Sequence, residues 1–238
     1  MPIRSDWNIS LDDVEPQALL SGSMERMMAK PSVRADWDIA LAESKKLVHP
    51  AAIWEFVKVR EFRHQRIILE KNGAVLTGGP IADVMSGAEQ IIVGVCTSGA
   101  EITQAAVAAK QNGMLMRAMF YEMFGAYVVG MLRQQMVEMF EREIRSQGLH
   151  ISTMLSPGES TWPVDQQSVL FSLVDAAQIG VSLSATMMMN PMKSLSMVMG
   201  FGTQPLGSEG ATNCDFCTMR DTCPASQAGT RSAVPLAG

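Results

Sequence analysis

Three of the four cysteines fall within ten residues near the C-terminus, in the run NCDFCTMRDTCPAS: Cys214, Cys217 and Cys223. The Cys-x2-Cys step puts two thiolates on one tight turn, where both can face a single ion or cluster, and the third returns after a short polar loop. Three thiolates leave one coordination position open. Zinc structural sites close at four ligands, whereas iron–sulfur clusters are held by cysteines that can include a distant one. Cys96 is available as that fourth ligand, or it is a small hydrophobe of the apolar run Ile91–Val95 that precedes it. Cys223-Pro224 echoes the Cys-Pro ending of bacterial ferredoxin motifs. An iron–sulfur cluster is the first reading of this tail, zinc the second, and no metal the third.

The elements that must carry such a tail are those of an ordinary folded chain. Its 238 residues, 47% hydrophobic and 18% charged, can bury a real core. The net charge of -5 gives no electrostatic footprint for nucleic acid. No window approaches the ~18 apolar residues of a membrane span, and acidic residues stand where a signal peptide has its apolar core. The expected compartment is the cytoplasm, where clustered cysteines more often bind metals or catalyse than form disulfides. His49, His64 and His150 are scattered singly, and no phosphate loop, nucleophile elbow or telling carboxylate pair is present.

Residues 1–49 read as an N-terminal arm with a near-duplication: RSDWNISL at Arg4 to Leu11 recurs as RADWDIAL at Arg34 to Leu41. Each copy is either a helix start packed on the protein's own surface or a segment that grips a partner or a second protomer. Residues 50–205 read as the globular core. IWEFVKVREF, residues 53–62, opens it as a helix. Asn72-Gly73 marks a two-residue hairpin turn. A buried strand over Ile91–Val95 runs into Thr97-Ser98-Gly99, a turn with free backbone N–H groups ahead of a helix that ends at Gly113. A long helix spans Met116–Gln147, with Gly125 and Gly130 inside it for close packing or an interruption. Then follow a Pro-Gly loop, a helix from about Val164 to Ala177, a strand, an Asn-Pro turn and a strand ending at Gly200. The many methionines at helical spacing are core filler. Residues 206–238 form the cysteine-bearing tail.

The stretch SPGESTWPVDQQSVLFSLVD followed by IGVSLSATMMMNPMKSLSMVMGFG resembles the activation domain of cobalamin-dependent methionine synthase, and more closely its stand-alone relatives with a cysteine-rich tail. The family pattern is an Arg-x-Ser-Pro-Gly-Tyr loop, Trp-Pro, a helix carrying Leu-Phe, an Ile-Gly strand start, then x-Pro-x-x-Ser-x-Ser. Ser156, Pro157, Gly158, Trp162, Pro163, Gln166, Leu170, Phe171, Ile179, Gly180, Pro191, Lys193, Ser194 and Ser196 fit it. Val95 to Ile102 is similar to a further segment of those relatives. The resemblance implies an α+β fold with a bent, mostly antiparallel sheet packed with helices in a single domain. It implies Ser156, Pro157, Gly158, Trp162, Lys193, Ser194 and Ser196 as the cofactor-binding set, with S-adenosylmethionine as the ligand.

Two departures bear on that ligand. Met154 stands where the family has the arginine before Ser-Pro-Gly, and Glu159 where it has the tyrosine. A methionine cannot pair bidentately with the ligand carboxylate. Either Lys193 or Arg117 replaces that cation, or the protein keeps a corrinoid-facing shape for a different step, which is the reading preferred here. The function expected is service to a corrinoid-dependent methyltransferase: docking on its cobalamin protein and helping to reduce or remethylate the cobalt, with cobalamin supplied by the partner. The alternative is a non-catalytic binding module, with zinc or nothing in its tail.

Overall fold

The structure is a computed structural model and describes residues 1–12, 14–19, 26–159, 162–207 and 215. Cys214, Cys217 and Cys223 lie outside the described residues. The strands are β1 (Ile3–Arg4), β2 (Ala51–Arg63), β3 (Arg66–Leu69), β4 (Val75–Thr77), β5 (Gln90–Thr97), β6 (His150–Ile151), β7 (Ser182–Leu183), β8 (Met189–Asn190) and β9 (Ser194–Gly202). The helices are α1 (Pro16–Leu19), α2 (Pro31–Leu47), α3 (Ile81–Val84), α4 (Glu101–Gln111), α5 (Leu115–Ser146) and α6 (Gln167–Leu173). The main sheet has the order β4-β3-β2-β5-β9-β6, with β1 paired to β2, and the ladders β1–β2, β2–β3, β3–β4 and β6–β9 are antiparallel. The class is α+β, with a mostly antiparallel sheet packed with helices, as expected. No helix among the described residues is long and apolar enough to cross a membrane.

The sequence explains the central strands. The β5 run IIVGVCT is buried along its length, the continuous apolar pattern of a strand covered on both faces. β2 corrects the reading of IWEFVKVREF as a helix. Its aromatic and β-branched residues suit a pleated surface better than a helix, and Ile53, Trp54 and Val57 are buried. The register of β2 against β3 slips between Val59 and Glu61, a bulge of the kind that bends and twists a strand.

The chain divides into two compact units. The first contains Met1–Glu55, Gly94–Phe140 and Val174–Ser196. Its core is aromatic: Trp37 of α2 meets Phe120 and Phe124 of α5 edge-on, with ring centroids 5.3 and 4.8 Å apart. Trp54 packs in the same manner on Phe140, at 5.6 Å. The repeat periodicity of α2 follows from Val33, Trp37, Ala40 and Ser44, which are its buried positions.

The second unit contains Phe56–Val93, Glu141–Leu173 and the chain from Met197. Its core gathers Ile67, Leu69, Leu76, Ile81, Val84 and Met85, all fully buried. The β3–β4 hairpin sits where Asn72-Gly73 pointed, but its connection is a five-residue loop closed by Leu69 N–H donating to the Ala74 carbonyl at 2.8 Å. Asn72 takes φ 58° there, a value asparagine tolerates. The helix expected from Val164 to Ala177 is three pieces, a 3-10 turn at Val164–Gln166, α6, and a second turn at Ala176–Ile179. The tail leaves this unit from a fixed root: Leu206 is buried, and Gly207 N–H donates to the Ser86 carbonyl at 3.1 Å.

Candidate functional site

Ser156, Pro157, Gly158 and Trp162 belong to the second unit, where they form a loop held by its own side chains. Gly158 turns it, with φ +88°. Its N–H donates to the Trp162 carbonyl (2.9 Å), and Glu159 N–H donates to the Ser156 carbonyl (3.1 Å). The Trp162 indole is buried, and its N–H donates to the Thr77 carbonyl at 3.0 Å. Thr77 N–H in turn donates to Gln166 Oε1 at 3.0 Å, and Gln167 Nε2 reaches the Pro157 carbonyl at 3.5 Å. Gln166 and Gln167 are both buried, so the loop is braced from behind. Both are positioning residues: Gln166 belongs to the sequence pattern, whereas Gln167 was not singled out by it.

The departures have a definite setting. Met154 is buried, and the Ser156 hydroxyl lies 3.6 Å from its sulfur. An apolar thioether therefore faces inward beside the Ser156 hydroxyl. Leu155 pairs with Val198 through two backbone hydrogen bonds of 3.0 and 2.8 Å, which fixes the segment on β9.

Lys193, Ser194, Ser196 and Cys96 belong to the first unit. There the turn after Pro191 is locked onto Thr97-Ser98-Gly99. Ser98 N–H donates to the Lys193 carbonyl (2.9 Å), Gly99 N–H donates to Thr97 Oγ1 (3.1 Å), and Ser194 Oγ lies 2.9 Å from Thr97 Oγ1. The Ser98 and Gly99 amides expected to be free for a ligand are thus consumed within the fold, the first by the Lys193 carbonyl and the second by Thr97 Oγ1. The Asn190-Pro191 peptide is cis. Ser194 and Ser196 are buried.

Both candidate replacement cations are engaged. Lys193 Nζ sits 2.5 Å from Glu122 Oε2, and the Lys193 stem runs across Gly125 of α5, where an added methyl group would meet its Cγ at 2.9 Å. Arg117 places Nε and Nη2 on one oxygen of Asp36, at 3.1 and 2.9 Å. Cys96 is a sealed thiol. Burial pushes its pKa up to about 12, against a hydrogen bond from the Leu195 backbone and the pull of Arg133. Among the described residues no group of three or more His, Cys, Asp or Glu side chains could hold a metal ion.

A feature the motif reading passed over is the basic run on β2 and β3. Five Lys or Arg side chains against two acidic ones lie between Lys58 and Lys71, in a chain of net charge -5. The signal was an alternation of basic residues inside a segment read as helical.

The braced Pro-Gly loop, the locked Asn-Pro turn and the sheet order together define a fold of the methionine synthase activation type. A crystal structure of the MetH reactivation domain bound to AdoHcy superposes with a TM-score of 0.56 at 13% identity, over 76% of this chain and 70% of that one. No protein-family model matches the chain, and no curated protein matches it in sequence.

Proposed function

We propose that this protein serves a corrinoid-dependent methyltransferase: it docks on the corrinoid-binding protein and supports reduction or remethylation of the cobalt, with an iron–sulfur cluster held by Cys214, Cys217 and Cys223. The observation that carries the reading is the fold likeness to the MetH reactivation domain, combined with a Pro-Gly loop that keeps its bracing while its cation is replaced by Met154. The corrinoid comes with the partner, since the chain lacks the Asp-x-His-x-x-Gly signature of a methionine-synthase-type cobalamin domain. Reactivating a corrinoid requires one electron at low potential, which an iron–sulfur cluster supplies when bound. Cys96 is left out of this ligand set because its side chain is buried in β5. The tail cysteines carry the cluster without it.

Anaerobic purification tests the redox half. A brown protein whose broad absorption bleaches with dithionite, and is lost in Cys214→Ser but kept in Cys96→Ala, is the expected result. A colourless protein with one tightly bound zinc, or with no metal, would leave a non-catalytic binding module instead. Co-purification with a corrinoid protein tests the docking half.

A second reading, an S-adenosylmethionine-binding activation subunit, is favoured by the AdoHcy in that neighbouring structure. In this chain the ligand carboxylate would have to displace Glu122 from Lys193 or Asp36 from Arg117. Trading a bidentate anchor for an ion pair that must first be broken lowers affinity by a large factor. Calorimetric titration decides between the readings. No heat with S-adenosylmethionine is expected, and binding abolished by Lys193→Ala would establish the second.

A further inference from the structure

The tip of the β2–β3 hairpin has a polarity opposite to that of the whole chain. Arg63 and Arg66 are register partners there, with His64 and Gln65 between them, and all four side chains are exposed. Like charges directly opposite on an antiparallel pair repel one another. Neither arginine, nor Arg60 beside them, has a carboxylate partner among the described residues. The fold therefore holds a like-charged pair that an external anion would relieve.

Beneath the pair lies a groove of about 620 Å³ lined by Arg63, His64, Gln65, Arg66, Ile68, Val75 and Thr77. Ile68 and Val75 are themselves register partners across β3 and β4 and give the groove an apolar wall. β4 ends the strand order, yet its Thr77 N–H and C=O are already taken by Gln166 and the Trp162 indole. An incoming chain is therefore not added as a further strand at Thr77. It must be gripped by side chains.

We propose that this groove docks an extended acidic peptide segment of a partner protein. The two guanidinium groups take its carboxylates in forked pairs, which guanidinium geometry suits, while an apolar side chain of the same segment rests on Ile68 and Val75. Charge complementarity selects this occupant. A nucleic acid would face the acidic remainder of the molecule along its length, and the groove lining offers the His64 imidazole but no Phe, Tyr or Trp on which a base could stack. The inference stands independently of the corrinoid reading.

The test uses the full chain and fluorescence anisotropy with a labelled peptide of alternating Glu and Leu. Saturable binding is expected that weakens as salt rises from about 0.05 to 0.5 M and falls by about tenfold or more in Arg63→Glu/Arg66→Glu. The thermal midpoint of that variant should be nearly unchanged, since it exchanges one exposed like-charged pair for another. Four outcomes overturn the proposal: no saturable binding by the wild type, equal binding of a Gln-for-Glu peptide, unchanged affinity in the double variant, or stronger binding of a single-stranded RNA than of the peptide at the same salt.

Discussion

The two copies of the duplicated octapeptide share Arg, Asp, Trp, Ile and Leu at the same offsets and fold in opposite ways. In RSDWNISL the chain is extended into an irregular turn. Arg4 stacks over Trp7 at 4.6 Å and pairs with Asp6, the Trp7 indole donates to the Arg4 carbonyl, and Leu11 is the buried residue. In RADWDIAL the same letters lie in α2, where Trp37 is 1% exposed, Arg34 pairs with Asp38 one turn on, and Asp36 reaches Arg117. The three differing positions account for the divergence. Ser5, Asn8 and Ser10 compete for backbone hydrogen bonds, and Ser10 Oγ does accept one from Asp12 N–H. Ala35 and Ala40 favour helix, and Pro31 starts it. A motif of apolar and charged residues thus states what can be buried, while small residues between them decide which one is.

The largest expected effect tests this contrast directly. Trp37→Ala should cost about 3–5 kcal/mol by chemical denaturation, and Trp7→Ala about 1 kcal/mol, the worth of a half-buried cation–π pair; equal losses would break the comparison. The same logic applies to two glycines of α5. Gly125→Ala should destabilise by about 1 kcal/mol because the new methyl pushes Lys193 off Glu122. Gly130→Ala, with nothing within 4 Å, should stabilise by about 0.5–1 kcal/mol.

A smaller effect concerns the seam between α2 and α5. Tyr121 donates to Glu43, and burial, with that hydrogen bond and the Glu43 charge behind it, pushes the phenol up to about 12. The folded chain holds this proton more tightly than the unfolded chain. Its stability contribution is complete below pH of about 10, then declines as pH rises towards 12. Denaturation curves collected across that window should flatten in Tyr121→Phe, measured on a Cys96→Ala background because the Cys96 thiol titrates in the same direction. The smallest effect is Arg34→Ala, a change of about 0.3–0.5 kcal/mol for an exposed pair one turn apart.

Much of the fold was legible because local signals agreed with it. The buried β5 run, the α4 stop at Gly113, the long α5 and the Pro-Gly loop could all be placed from the sequence. β2 was not, because Ile53 and Val57 stand four residues apart and imitate a helical face, while the partners that make it a strand lie distant in sequence. The Ser98 and Gly99 amides were also misjudged. Nothing local says that a carbonyl at Lys193 will claim one of them. The exchanges at Met154 and Glu159 were visible as letters, but the pairing of Lys193 and Arg117 with carboxylates required coordinates.

Thr77 gives one residue three duties: its N–H answers Gln166, its carbonyl takes the Trp162 indole, and its hydroxyl faces the Gln65 carbonyl at the rim of the basic groove. A single residue thus anchors both the Pro-Gly loop and the rim of the groove, so a change of backbone at Thr77 disturbs the two together.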